Sequence, residues 1–267
     1  MQLFKKAMAA LTLALASSFA FAGPFILAGT DADEHGSFSS GANQDGWLFM
    51  QKALENIGSG VSNGNKIVAV LGSTGLAANA ANSAFDFSSL VGAGWTRANV
   101  SIANFGNFFN NVGTGTTLDD VGILMMDAGS NVSGGVAGSN FTPYASLINS
   151  FVGGGGGLFS QANGYAWLSA LLPGVTVSSE GSTGLFLTPA GNAAFPGLVN
   201  QDLSTGPYHS RFNNYAPIPV LAVGADGDAI IIGASGGSIT APTIPEPASL
   251  ALLALGLLGF GALRRRS

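Results

Sequence analysis

Lys66-Ile67-Val68-Ala69-Val70-Leu71 and Val121-Gly122-Ile123-Leu124-Met125-Met126 decide the fold. Each is an almost unbroken apolar run of strand length. The first is followed by Gly72-Ser73-Thr74-Gly75 and the second by Asp127. A strand with one face in water alternates polar and apolar residues, whereas a strand covered on both faces does not. The two runs therefore predict strands buried between layers of helices. Shorter runs at Phe25–Ala28, Leu158–Ser160, Val175–Ser178, Pro219–Val223 and Ala229–Ile232 predict further strands. The last two flank Gly224–Asp228 and read as a hairpin.

Helical spacing fills the intervals. Trp47, Met50, Leu54 and Ile57 share one helix face, with Asp45 as a cap and Gly58 as a stop. Helices are also expected over Ala80–Val91 and over the Phe-rich Asn104–Val112. Thr142-Pro143 supplies an N-cap and a first-turn proline for a helix through Tyr144, Leu147, Ile148 and Phe151, ending at Gly153–Gly157. A further helix over Asn163–Leu172 would end at Pro173-Gly174. Strands alternating with helices give the α/β class: a doubly wound, mostly parallel sheet flanked by helices, plus a single C-terminal apolar helix.

The ends of the chain carry a different message. Lys5 and Lys6, the apolar stretch Ala7–Phe19 and the small-residue site Ala20-Phe21-Ala22 make residues 1–22 a secretory signal peptide. Residues 23–243 form one domain, with Gly233–Thr243 as its C-terminal linker. Only 9% of the 267 residues are charged and the net charge is −5. An acidic, charge-poor chain is a poor match for nucleic acid, which is bound through basic groups. With no cysteine, neither a disulfide nor thiolate chemistry is available. Eighteen Phe and a high aliphatic content set the chain apart from disordered ones despite its forty Gly.

Residues 244–267 read IPEPASLALLALGLLGFGALRRRS. Pro245-Glu246-Pro247 precedes sixteen uncharged residues, Ala248–Leu263, which would span ~24 Å as a helix. Arg264, Arg265 and Arg266 follow, a cytoplasmic retention signal under the positive-inside bias. The three parts, in order, resemble the PEP-CTERM sorting tail of exported bacterial proteins. The resemblance implies an inner-membrane intermediate processed by exosortase, after signal peptidase has acted at the other end.

Candidate chemistry gathers where strands should end, since open α/β sheets bind ligands at the carboxyl ends of their strands. Asp31, Asp33, Glu34 and His35 follow the first strand, Ser73 the second and Asp127 the third; Gln161 and Asn163 follow Leu158–Ser160. His209 is the only other histidine. Two accounts of these residues stand side by side. They line a crevice for a ligand or a metal of unknown identity, or they cap helices and make turns as polar residues do wherever strands end.

The strand ending at Asp127, the glycine run Gly153–Gly157 and the sequence Leu158 to Tyr165 resemble the class I glutamine-amidotransferase-like fold. The resemblance would place Gly164 two residues after the nucleophile, so that Ala162 stands where that family has its cysteine. It implies the fold and counts against the activity. The expectation is an exported, non-catalytic protein of the cell surface or extracellular matrix, without a cofactor, whose crevice binds a small ligand or extracellular polysaccharide. The alternative is a metal-dependent hydrolase of extracellular polymer that uses Asp31, Asp33 and His35, with His209.

Overall fold

The computed structural model describes residues 23–127, 134–162, 164–181, 184–204 and 209–234. The signal peptide, Asn163, the sorting residues Pro245, Glu246, Pro247, Arg264, Arg265 and Arg266 and the apolar helix expected over Ala248–Leu263 lie outside them. Among the described residues no helix is long and apolar enough to cross a membrane.

Five strands run parallel in the order β5 (Thr96–Val100), β4 (Ile67–Leu71), β6 (Ile123–Met126), β7 (Gly157–Gln161) and β1 (Phe25–Ala28). β4, β6, β7 and β1 are the continuous apolar runs, and they are buried on both faces as their composition requires. Chain order reverses at β5, the edge strand. The crossovers through α1 (Gly46–Gly60) and α2 (Gly75–Asp86) travel toward β5, and α1 packs against α2. A short α3 (Ser89–Gly92) then leads into β5. The return crossovers run through α4 (Phe105–Phe109) and α5 (Ala145–Gly153). The outward and return crossover helices flank the mostly parallel sheet.

Aromatic packing fills both layers. Phe49 on α1 meets Phe159 and Phe195 edge-on, with centroids 6.0 and 5.4 Å apart. On the return side, Phe105 stacks on Phe141 at 5.4 Å and Phe109 on Tyr144 at 4.4 Å.

Beyond β1 the sheet turns antiparallel. β12 (Ala229–Ala234) pairs with β1 along Phe25–Ala28 and with β11 (Val220–Gly224), the expected hairpin. β10 (Ser210–Asn213) pairs with β12 and with β8 (Thr176–Ser179), and β9 (Leu185–Leu187) pairs with β11. A separate two-stranded ribbon joins β2 (Gly36–Ser39) to β3 (Ala42–Asp45). Its loop is Ser40-Gly41, both at positive φ, the twist that tight hairpins favour.

Several expectations are corrected. The helix expected at Ala80–Val91 begins earlier, at Gly75, and breaks before Ser88. Asp45 precedes α1, but its side chain makes no cap hydrogen bond. Thr142 is no cap either: a 3₁₀ turn, Thr142–Tyr144, precedes α5, and the Thr142 hydroxyl donates back to Gly138 O at 3.4 Å. Among the described residues of the helix expected over Asn163–Leu172 there is a 3₁₀ turn, Leu168–Ala170, and no α-helix. The linker does not start at Gly233, because Gly233 and Ala234 still pair with Ile26 and Phe25.

Candidate functional site

The site grows from the way β1 ends. After Ala28, the Gly29 amide donates to Ile230 O at 2.7 Å, while Gly29 O accepts from the His209 and Ser210 amides at 2.7 and 3.1 Å. β10 thus begins where β1 stops and continues along the same edge of β12. A Cβ on residue 29 would strike the Ser210 carbonyl, so only glycine permits this approach. Arg211, on β10, pairs with Asp228 in the β11–β12 turn and so ties the new strand to the hairpin. The effect is to bring His209 to the loop that follows β1.

Asp31 is the centre of that loop. Its Oδ2 lies 2.9 Å from His209 Nε2 and 3.3 Å from His35 Nε2. The Asp31 side chain is 3% exposed, against 29% for His35 and 37% for His209. The imidazoles therefore face the solvent and the carboxylate lies beneath them. The Glu34 amide donates to Asp31 O at 3.0 Å, closing a turn. This turn brings one ligand atom each of Asp31, Glu34 and His35 within 4.8 Å of one another. Asp31 Oδ1 is buried and has no hydrogen-bond partner among the described residues.

Under this layer lies a second one, wholly buried. Register pairs Met126 with Ser160 and Ala28 with Gln161, so the ends of β6, β7 and β1 form one row. Gln161 Nε2 donates to Asp127 Oδ1 at 2.6 Å and to Asp33 Oδ1 at 3.2 Å. Burial, and then the charge of Asp127, push the Asp33 carboxyl up to about 9. Asp33 therefore favours its protonated form at neutral pH. Trp47 Nε1 donates to Asp33 O at 2.8 Å and fixes the backbone from α1.

Tyr165 closes the row. It takes a left-handed φ of 52°, and its buried hydroxyl is shared between Ala28 O at 2.7 Å and Ser160 O at 3.0 Å. The chain therefore folds back after β7 without entering a helix. Ala162 is buried at the position where the amidotransferase resemblance would put a nucleophile, and Ser160 is fully buried within β7.

The structure thus brings Asp31, His35 and His209 together, with Glu34 adjacent, and places Asp33, Asp127 and Gln161 directly behind them. Ser73 stands at the end of β4 on the same sheet edge, and its hydroxyl has no hydrogen-bond partner among the described residues. Gly29 and Tyr165 were not among the sequence candidates. The one sequence cue for Gly29 was its position at the end of an apolar strand, and a tyrosine after Gly164 carries no cue of its own. A separate open cleft of about 390 Å³ at the end of β5 is lined by Asn99, Asn104, Asn107, Val112 and Thr114 and holds no titratable side chain.

Comparison with known proteins gives one match. The family model for the PEP-CTERM protein-sorting motif matches residues 243–266, which marks the chain as an exported protein sorted by exosortase. No curated protein and no solved structure matches the chain, so the amidotransferase-like resemblance gains no support from them.

Proposed function

We propose that the domain is a non-catalytic binding protein of the cell surface or extracellular matrix, released there after signal peptidase and exosortase have processed its two ends. The inner membrane holds it only before that processing. Its ligand is a small molecule or a segment of extracellular polysaccharide, taken up at the carboxyl edge of the sheet. One observation carries this reading: half-exposed His35 and His209 converge on buried Asp31, backed by the buried Asp33–Gln161–Asp127 layer. Burying carboxyl groups is unfavourable for folding, and perturbed groups cluster at functional sites.

The test is equilibrium binding of the purified exported protein to oligosaccharides from the extracellular polysaccharide of its host. Saturable binding, weakened at least tenfold by Glu34→Ala, is the expected result. No binding by the unaltered protein would sink the reading. The two imidazoles also favour a second reading, a metal-dependent hydrolase of extracellular polymer, because imidazole and carboxylate are the ligands of such sites.

A further inference from the structure

We propose that Asp31, His35 and His209, with Glu34 within reach, hold a single divalent first-row transition ion of the zinc type. The inference does not rest on any ligand for the rest of the crevice.

Distances come first. Zinc binds imidazole nitrogen and carboxylate oxygen at roughly 2.0–2.2 Å, so donor atoms around one ion sit about 2.9–3.5 Å apart along the edges of an octahedron or a tetrahedron. The separations here are 2.9 Å from His209 Nε2 and 3.3 Å from His35 Nε2 to the same Asp31 oxygen. Glu34 has a donor atom within 4.8 Å of those of Asp31 and His35, and His209 joins them through Asp31 Oδ2.

The second observation is independent of the cluster's composition. Hydrogen bonding alone would distribute two imidazole N–H donors over both oxygens of a buried carboxylate. Instead both face Oδ2, and Oδ1 is buried without a partner among the described residues. An unpartnered buried carboxylate oxygen is unfavourable by about 1–3 kcal/mol or more, which a cation beside it would relieve.

The backbone that carries each imidazole is hydrogen-bonded in place. The His209 amide donates to Gly29 O at 2.7 Å and His209 O accepts from the Glu180 amide at 3.0 Å; His35 O accepts from the Gly46 amide at 2.9 Å. The backbone bearing these ligands is anchored before any ion arrives, and the exposed imidazole edges leave a path for it from solvent. Two nitrogens with carboxylate oxygens suit a borderline ion such as Zn²⁺, whereas Ca²⁺ and Mg²⁺ are held by oxygen alone.

The test uses the purified exported protein, stripped with chelator and titrated calorimetrically with zinc sulfate. One site per chain is expected, with no heat from calcium. Asp31→Asn and His209→Ala should each weaken zinc binding at least ~100-fold, beyond the range typical of outer-shell changes. Should those variants misfold, Co²⁺ added to the unaltered protein decides the matter: intense visible bands of a four- or five-coordinate ion support the site. No zinc binding, zinc binding unchanged in folded His209→Ala, or the weak spectrum of hydrated cobalt would overturn it.

Discussion

His209 Nε2 stands 2.9 Å from Asp31 Oδ2 although 178 residues separate them in the chain. Neither residue reaches the other by its own flexibility. β1 ends at Ala28, Gly29 accepts the amides of His209 and Ser210, and β10 takes the vacated edge of β12. The pair is a consequence of where one strand hands over to another.

Gly29→Ala should break that handover. The added methyl collides with the Ser210 backbone, which cannot move aside as a flexible side chain would. A loss of ~1–3 kcal/mol is expected in urea unfolding, in the range of overpacked sites. An unchanged midpoint and slope would show that β10 does not depend on this contact.

Two threonines that look alike in sequence should behave differently. Thr188 Oγ1 accepts from the Gly191 amide at 3.1 Å and donates to Val220 O at 2.6 Å, so it caps α6 (Pro189–Ala194) and ties it to β11. Thr188→Ala should cost about 1 kcal/mol or somewhat more. Thr142 is exposed and caps nothing, so Thr142→Ala should lie within ~0.5 kcal/mol of the parent. Equal losses at both positions would contradict the assignment.

Acid should weaken the packing of α1 on α3 through Glu55. Burial alone would raise its carboxyl, but hydrogen bonds from Lys52 at 2.9 Å, Gln51 at 3.1 Å and the Ser89 amide at 3.0 Å outweigh burial and hold it below the usual value. A folded-state value below the unfolded one stabilises the protein above the unfolded value, near pH 4.3 for Glu, and that stabilisation is lost as the pH falls through the folded value. Urea midpoints measured from about pH 6 down to pH 3 should therefore fall less steeply in Glu55→Gln. Identical slopes for the two proteins would remove Glu55 from the account.

The sorting motif should act on the fate of the chain and leave folding alone. Replacing Pro245-Glu246-Pro247 by alanines should leave a longer, membrane-held species in cell fractionation, since the family match covers these residues. Normal processing and release of that variant would separate the motif from sorting.

The buried half of this fold was legible because β4, β6, β7 and β1 are covered on both faces, and so are written as unbroken apolar runs. β5 was not, since Thr96, Arg97 and Asn99 stand on an edge strand that water partly covers. β10 lies between β12 and β8, but its half-buried Arg211 and Asn213 interrupt the apolar pattern and hide it. Asp31, Asp33, Asp127 and Gln161 could be placed at strand ends from the order of elements. The position of His209 could not, because it depends on a backbone approach that Gly29 permits and no periodicity records. The helix expected after Gln161 failed where Tyr165 turns back into the left-handed region to bury its hydroxyl between two strand carbonyls.

The central claim, binding without turnover at the Asp31 crevice, is tested most directly by incubating the purified exported protein with extracellular polysaccharide of its host, with zinc present, and measuring polymer chain length by size-exclusion chromatography. The account predicts that polymer associates with the protein and keeps its length. Shortening of the polymer that disappears in a folded His209→Ala variant would contradict it and establish the hydrolase in its place.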